Sequence, residues 1–407
     1  MRAIFLAGVG RVELRDVPRP AISADTEVLL RTNIVGLCGS DIHYFTSNAV
    51  AGEKVAFPAV LGHEVSAMVE AVGSRVTSLK PGDRVAVDPA ASCGTCDQCR
   101  AGRPHTCRSL RFLGSPGEKD GALAEYFVMP AANCWPVPET VSMTEAMLAE
   151  PLSIALHAFS FWPGGPGHPM AVLGSGPIGL SLILAARAAS VNSEGKTPSD
   201  GRTVLYPGVQ NGAALPPLLG RGMKPRPATK GETPPWIPRR AAPRVKTPGI
   251  APLVNEIYAT DKIAEREQAA RRAGAVWAGN PDREDVVREI LSRQPLGLDA
   301  VFECCGEQTA LDQSVELLKP GGTLAVVGIP LAERISFPSV ALRRKEIRVQ
   351  SVRRQNRCVK RALLLLSARL IEIGFLANRD FRPEDAQAAF ETAAGRKDGA
   401  LKVTITF

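Results

Sequence analysis

A short apolar run, Ala171-Val172-Leu173, leads straight into Gly174-Ser175-Gly176-Pro177-Ile178-Gly179, and a helical pattern follows from Ile178 to Ala189. A G-x-G-x-x-G string alone is weak, because glycine-rich turns are common. Set between a strand and a helix, it is the context a dinucleotide-binding turn requires. The glycines let the backbone approach a pyrophosphate, which sits on the helix N-terminus. Gly174, Gly176, Pro177, Ile178 and Gly179 are therefore the expected cofactor-binding residues. The same pattern demands an acidic residue about 20 positions later, at the end of the next strand.

Asp261 is the expected ribose-binding acid, with Lys262 beside it as a further cofactor-binding residue that weakens the preference for NAD, but Asp261 stands 87 positions after Gly174, which is too far. The distance has a local cause. The 63 residues 193–255 hold 12 of the chain's 33 prolines and no periodicity, so they read as a disordered insertion. An in-frame insertion, a translated non-coding stretch and a genuine functional loop all fit this composition. Without it, Val191-Asn192 joins Glu256-Ile257-Tyr258-Ala259-Thr260-Asp261 smoothly, and Asp261 falls 24 positions after Gly174. A loop from the first helix to the second strand lies opposite the cofactor edge of such a sheet, so activity should tolerate it.

The insertion also accounts for the charge. The chain carries a net +8, but ten basic and three acidic residues give 193–255 a net +7, leaving the remainder almost neutral. Its only large aromatic residues are Tyr206 and Trp236, so nucleic acid is not expected as a partner. No apolar run approaches the ~18 residues of a membrane span. The N-terminal Met1-Arg2-Ala3-Ile4-Phe5-Leu6 turns polar too early for a secretory signal, and a cytoplasmic protein is expected.

Alternating strand-like and helical runs from Ala171 to Val327 predict an α/β class with a doubly wound parallel sheet. The first ninety residues read instead as β-rich, with runs such as Val28–Thr32 and Val65–Val72. Between these regions, Thr144 to Phe159 is helical.

Cys93, Cys96, Cys99 and Cys107 form a C-x2-C-x2-C-x7-C array. Four thiolates at this spacing suit a closed tetrahedral zinc site, which is structural because no position is left open. An iron–sulfur cluster or four core thiols are the competing readings. The polar, loop-forming surroundings argue against core thiols, and a four-cysteine loop in a β-rich lobe favours zinc. A second constellation comprises Cys38-Gly39-Ser40-Asp41-Ile42-His43-Tyr44, Gly62-His63-Glu64 and Glu150-Pro151. Each piece is weak by itself. Together they offer one thiolate, one imidazole and two carboxylates, a ligand set for a catalytic zinc with an open position. Ser40 and His43 are close enough to Cys38 to relay a proton. His105, His157 and His168 read as structural or surface residues. Cys134, Cys304, Cys305 and Cys358 match no ligand spacing.

With these motifs in place, the chain resembles the zinc-dependent medium-chain dehydrogenases, closest to the sorbitol (polyol) dehydrogenase branch. The resemblance implies a β-rich GroES-like catalytic domain over 1–155 and 353–407, and a Rossmann domain over 156–352. It implies a catalytic zinc on Cys38, His63 and Glu64 with Glu150 at or beside the metal, Ser40 and His43 as proton relay, and Tyr44 and Arg353 contacting substrate. The implied reaction is oxidation of a secondary alcohol, a polyol or sugar acid such as sorbitol, xylitol or L-idonate, to a ketone. Hydride passes to NAD rather than NADP, with two zinc ions per chain and a homodimeric or homotetrameric assembly. The rivals are a threonine or simple-alcohol dehydrogenase of the same family and a catalytically dead zinc- and nucleotide-binding relative. Two departures stand out: the insertion, and the absence of a histidine often found in relatives along Leu376–Phe381.

Overall fold

A computed structural model describes residues 1–47, 49–50, 53–162, 167–192 and 256–407. The stretch 193–255, expected to be a disordered insertion, lies outside the described residues.

The chain opens with a small sheet in which Arg2–Gly8 pairs with Arg11–Asp16 and with Ala59–Val60. It then builds most of an antiparallel sheet from β1 (Glu27–Gly36), β2 (Glu64–Val72), β3 (Arg84–Val87), β4 (Tyr126–Pro130) and β5 (Cys134–Pro136). Valine- and leucine-rich faces of these strands bury Val28, Leu30, Val35, Val65, Val69 and Val85 in one core. A helix absent from the sequence reading, α1 (Gly39–Ser47), interrupts this β-rich part. It buries Asp41 and Phe45.

Helix α2 (Met143–Ser160) links the two sheets. Its start is set by a reciprocal capping box. The Glu145 amide donates to Ser142 Oγ at 3.2 Å, and the Ser142 amide donates to Glu145 Oε2 at 2.8 Å. Its interior contains Pro151 and is buried nearly all round, as expected of a helix enclosed between layers.

The second sheet contains β6 (Met170–Leu173), β7 (Ile257–Thr260), β8 (Trp277–Gly279), β9 (Leu298–Glu303), β10 (Leu318–Val326) and β11 (Arg348–Ser351). All pairs are parallel, in the order β8-β7-β6-β9-β10-β11. This is the order of a doubly wound dinucleotide-binding sheet, with the reversal between β6 and β9. The apolar strands are buried on both faces, against α3 (Pro177–Asn192) and α4 (Ala264–Ala273) among others. β7 follows the proline-rich stretch yet pairs in full register with β6, Leu173 opposite Thr260.

After β11 the chain returns to the first sheet. α5 (Val359–Ser367) packs on α2, and β12 (Ala377–Phe381) and β13 (Lys402–Thr406) extend the first sheet, β13 pairing antiparallel with β1 and β12 parallel with β13. α6 (Ala386–Gly395) lies between these last two strands in sequence. The seven-stranded sheet thus ends as β5-β3-β2-β1-β13-β12, with β4 also on β1.

Candidate active site

A cleft of about 1310 Å³ is walled on one side by α1 and the start of β2, and on the other by the glycine turn after β6. The end of β1 delivers Cys38, the start of β2 delivers Glu64 with His63 just before it, and the middle of α2 delivers Glu150. The ligating atoms of Cys38, His63 and Glu64 all lie within 4.8 Å of one another. Glu150 stands outside this trio but in the same cleft wall. Burial raises the pKa of its carboxyl, with further contributions from Glu64 and Cys38, and one carboxylate oxygen has no partner. The Cys38 thiol is also pushed up, first by burial and then by Glu64. Crowding three acidic groups in a dry pocket is costly unless a cation joins them. The donor set therefore fits zinc, with soft sulfur, imidazole and carboxylate.

Two residues that the sequence reading did not single out complete this pocket. Asp41 is fully buried and accepts the Cys38 amide at 2.8 Å and the Gly62 amide at 3.3 Å. Its Oδ1 also faces His63 Nδ1 at 3.7 Å, which sets a buried carboxylate behind the imidazole as its electrostatic neighbour. Lys402 Nζ donates to Glu64 Oε1 at 2.7 Å and to the Leu37 carbonyl at 3.0 Å. Nothing local marks Lys402 as special, since its partner is distant in sequence.

Ser40 and His43 lie one turn apart on α1 and both line the cleft, as does Tyr44. His43 is held below its usual pKa, mainly by burial and then by Arg396. Tyr44 is shifted upward by burial, while its hydroxyl meets the Ser115 side chain. Arg353 lines the cleft from the exposed start of the return segment.

The glycine turn lies across the cleft. Gly174 has φ +97°, and a Cβ there would approach the Cys305 Cβ at 2.9 Å. A Cβ on Gly179 would lie 2.0 Å from the Gly174 carbonyl, so only glycine lets α3 start this close to β6. Asp261 sits at the tip of β7 beside the turn. Its Oδ2 accepts the Ser175 amide at 2.8 Å and its Oδ1 the Ile263 amide at 3.0 Å. Lys262 points instead to Glu307, at 2.7 Å. Arg266 is a further residue missed in the sequence: it reaches the turn, with Nη1 3.6 Å from where a Gly176 Cβ would be.

The four-cysteine loop forms apart from the cleft. Cys96 and Cys99 sulfurs are 3.6 Å apart, Cys96 and Cys107 3.8 Å, and Cys93 and Cys107 3.4 Å. Tetrahedral zinc with ~2.3 Å bonds places sulfurs about 3.8 Å apart, close to these separations, and all four sulfurs lie within 4.8 Å of one another, so the group suits the ion. Amides of Thr95 and Cys96 point at the Cys93 sulfur and pull its pKa down. His105 and His157 are buried against each other with ring centroids 4.9 Å apart, and His168 meets Asp299 at 3.2 Å. Cys304 and Cys305 line the cofactor side of the cleft.

The alcohol dehydrogenase GroES-like domain matches residues 24–139, and the zinc-binding dehydrogenase domain matches 253–368. D-xylulose reductase A of Aspergillus niger is 30% identical over 398 residues, covering 97% of this chain and 94% of the relative. The chain belongs to the zinc-dependent medium-chain dehydrogenases, in the polyol dehydrogenase branch. Sorbitol dehydrogenase of Bacillus subtilis (strain 168) is 28% identical to this dehydrogenase over 406 residues, covering 100% of the chain and 97% of the relative. Among solved structures, the alcohol dehydrogenase from Thermus sp. ATN1 superposes with a TM-score of 0.77 at 26% identity, covering 100% of this chain and 99% of that one. The dehydrogenase is thus an enzyme of an NAD(P)-linked, zinc-dependent class that acts on small molecules. Among the described residues no helix is long and apolar enough to cross a membrane.

Proposed function

We propose that this dehydrogenase oxidises a secondary alcohol of a polyol or sugar acid to a ketone, with NAD as hydride acceptor. The observation carrying this reading is the convergence of Cys38, His63 and Glu64 in the same cleft as the Gly174–Gly179 turn. Cys38, His63 and Glu64 would hold the catalytic zinc, with Glu150 beside it, and Cys93, Cys96, Cys99 and Cys107 a second, structural zinc. When bound, the zinc supplies the Lewis acid that acidifies the alcohol, and the nicotinamide accepts hydride. Lys402 holds Glu64, and the Asp41 carboxylate stands behind His63. Ser40 and His43 carry the released proton along α1 toward solvent. The depressed pKa of His43 leaves it neutral, and so able to accept a proton, at neutral pH. Tyr44 and Arg353 bind substrate hydroxyls.

Gly174, Gly176, Pro177, Ile178 and Gly179 cradle the pyrophosphate, and Asp261 accepts the adenosine ribose hydroxyls. The two amides on Asp261 aim its carboxylate, and Glu307 draws the charge of Lys262 away from it. A 2′-phosphate would face that carboxylate, which favours NAD over NADP.

The catalytic unit is assigned to 1–155 with 353–407, and the nucleotide unit to 156–352. A homodimer or homotetramer is supported by the open edge of β11, on which Val349 is 37% exposed, and by exposed apolar Leu331 and Val340 in the segment leading to that strand. A cytoplasmic setting is supported by nine unpaired cysteines. The test is NADH formation by the purified full-length chain with sorbitol, xylitol, L-idonate, threonine and 2-butanol. The reading expects polyol or sugar-acid turnover that a zinc chelator abolishes. Turnover of threonine or 2-butanol alone, or none at all with zinc and NAD bound, would reject it.

A further inference from the structure

Strand β9 is apolar along Ala300-Val301-Phe302 and then ends on a fully buried carboxylate, Glu303. In the parallel register Glu303 lies opposite Leu173, the last residue before the glycine turn. It therefore stands at the reversal of strand order between β6 and β9, where a dinucleotide crosses such a sheet. A carboxylate buried there is costly unless it accepts hydrogen bonds.

The bonds it accepts are all from loop backbone. Glu303 Oε1 accepts the Cys305 amide at 2.7 Å and the Gly306 amide at 2.5 Å. Its main-chain carbonyl accepts the Val327 and Gly328 amides at 2.8 Å and 2.9 Å. One residue thus ties the loop after β9 to the loop after β10. Two glycines let these loops touch backbone to backbone. A Cβ on Gly306 would lie 2.5 Å from the Ile329 carbonyl oxygen, and one on Gly328 would lie 2.8 Å from Glu303 Oε2. Cys304, Cys305, Val327, Gly328 and Ile329 line the cofactor side of the cleft, with Glu303 buried behind them.

Asp261 at the tip of β7 marks the adenosine half of the cleft, so the loops after β9 and β10 fall to the nicotinamide half. The glycine turn has its own anchors on the adenosine side. The Gly174 amide donates to the Thr260 carbonyl at 2.9 Å, and the Ser175 amide to Asp261. Burial raises the Glu303 pKa against the pull of the groups bonded to it, and Oε2 is buried without a partner. What the loops use is one acceptor oxygen at a fixed place.

We propose that Glu303 is a positioning residue for the cofactor, fixing the two loops that bed its nicotinamide half while the adenosine half is held independently. The proposal goes beyond the polyol reading and rests only on its assignment of the cleft to a nicotinamide dinucleotide. Glu303 acts through Cys305, Gly306, Val327 and Gly328, and takes no part in proton or hydride transfer.

The test measures binding of NADH, by fluorescence, and of ADP-ribose, which lacks the nicotinamide, by calorimetry, on the zinc-loaded full-length chain. Glu303→Ala should weaken NADH by about 10–100-fold, the range for loss of charged hydrogen bonds, and leave ADP-ribose within about threefold of wild type. Glu303→Gln keeps an acceptor oxygen for the Cys305 and Gly306 amides and should stay within about threefold on both ligands. Glu303→Asp shortens the reach to the same amides and serves the same comparison if thermal unfolding shows the alanine variant unfolded. Unchanged NADH affinity in Glu303→Ala overturns the proposal. So does an equal loss of NADH and ADP-ribose, or a loss in Glu303→Gln as large as in Glu303→Ala. A wild type that binds neither ligand rejects the dinucleotide reading itself.

Discussion

Lys402 Nζ sits 2.7 Å from Glu64 Oε1, with both side chains only 2% exposed. This buried ion pair joins the last strand of the chain to the carboxylate assigned to the catalytic zinc. It ties β13, which pairs with β1, to the start of β2: the final strand supplies the cation that makes Glu64 tolerable in a dry pocket. Removing one partner of a buried pair leaves an uncompensated charge, at a cost of about 3–5 kcal/mol. Lys402→Met should therefore destabilise the zinc-free protein by about that amount in urea denaturation. Adding Glu64→Gln should recover part of the loss. Additive effects of the two substitutions would refute the coupling.

The cysteine loop makes a separate prediction. Cys96 touches two other sulfurs of the group at 3.6 Å and 3.8 Å, so Cys96→Ser should open the tetrahedron. Metal analysis should fall from two zinc ions to one per chain, with a lower Tm. The trio of Cys38, His63 and Glu64 lies elsewhere and should retain its ion. Loss of both ions, or of neither, would contradict two independent sites.

Cofactor choice is assigned to Asp261. Replacing it with alanine releases the Ser175 and Ile263 amides and removes the ribose acceptor. Asp261→Ala should lower the NAD-to-NADP ratio of kcat/KM by about 10–100-fold, the range expected for a charged hydrogen bond. An unchanged ratio would remove Asp261 from this role, whatever happened to absolute rates.

His157 predicts a pH dependence of stability. Burial, aided by His105 and Arg103, lowers its pKa to about 4. In the unfolded chain a histidine titrates near ~6.5. Above that pH neither state binds the proton, and the folded state carries no penalty. As the pH falls from 6.5 toward about 4, the unfolded chain takes up a proton that the folded protein refuses, so stability declines. His157→Phe should reduce this decline in urea midpoints measured between pH 7 and pH 5. An identical slope in the variant would show that His157 does not contribute.

Much of this architecture is legible in the sequence because its signals are local. Ala171–Leu173, the glycine turn and the helix after it are contiguous, and the cysteine array lies within fifteen residues. Subtracting the proline-rich stretch correctly places Asp261 at the tip of the strand adjacent to β6. The less visible parts depend on distant partners. Lys402 reads as an ordinary lysine in an apolar strand until β13 pairs with β1. Arg354 looks like a surface arginine until Phe112, more than two hundred residues away in sequence, is brought beneath it. Helix α1 escaped notice because Cys38–Tyr44 was weighed for its ligands, although helical spacing is what sets Ser40 and His43 one turn apart.

The central claim is that Cys38, His63 and Glu64 hold the zinc that makes this chain a dehydrogenase. It is tested most directly by measuring zinc content and polyol-dependent NADH formation together in the wild type and in Cys38→Ala. The account predicts two zinc ions in the wild type and one in the variant, with NADH formation reduced at least about 1000-fold, since Lewis-acid activation of the alcohol contributes several kcal/mol. A variant that keeps both ions, or that loses one and still turns over at a comparable rate, would contradict it.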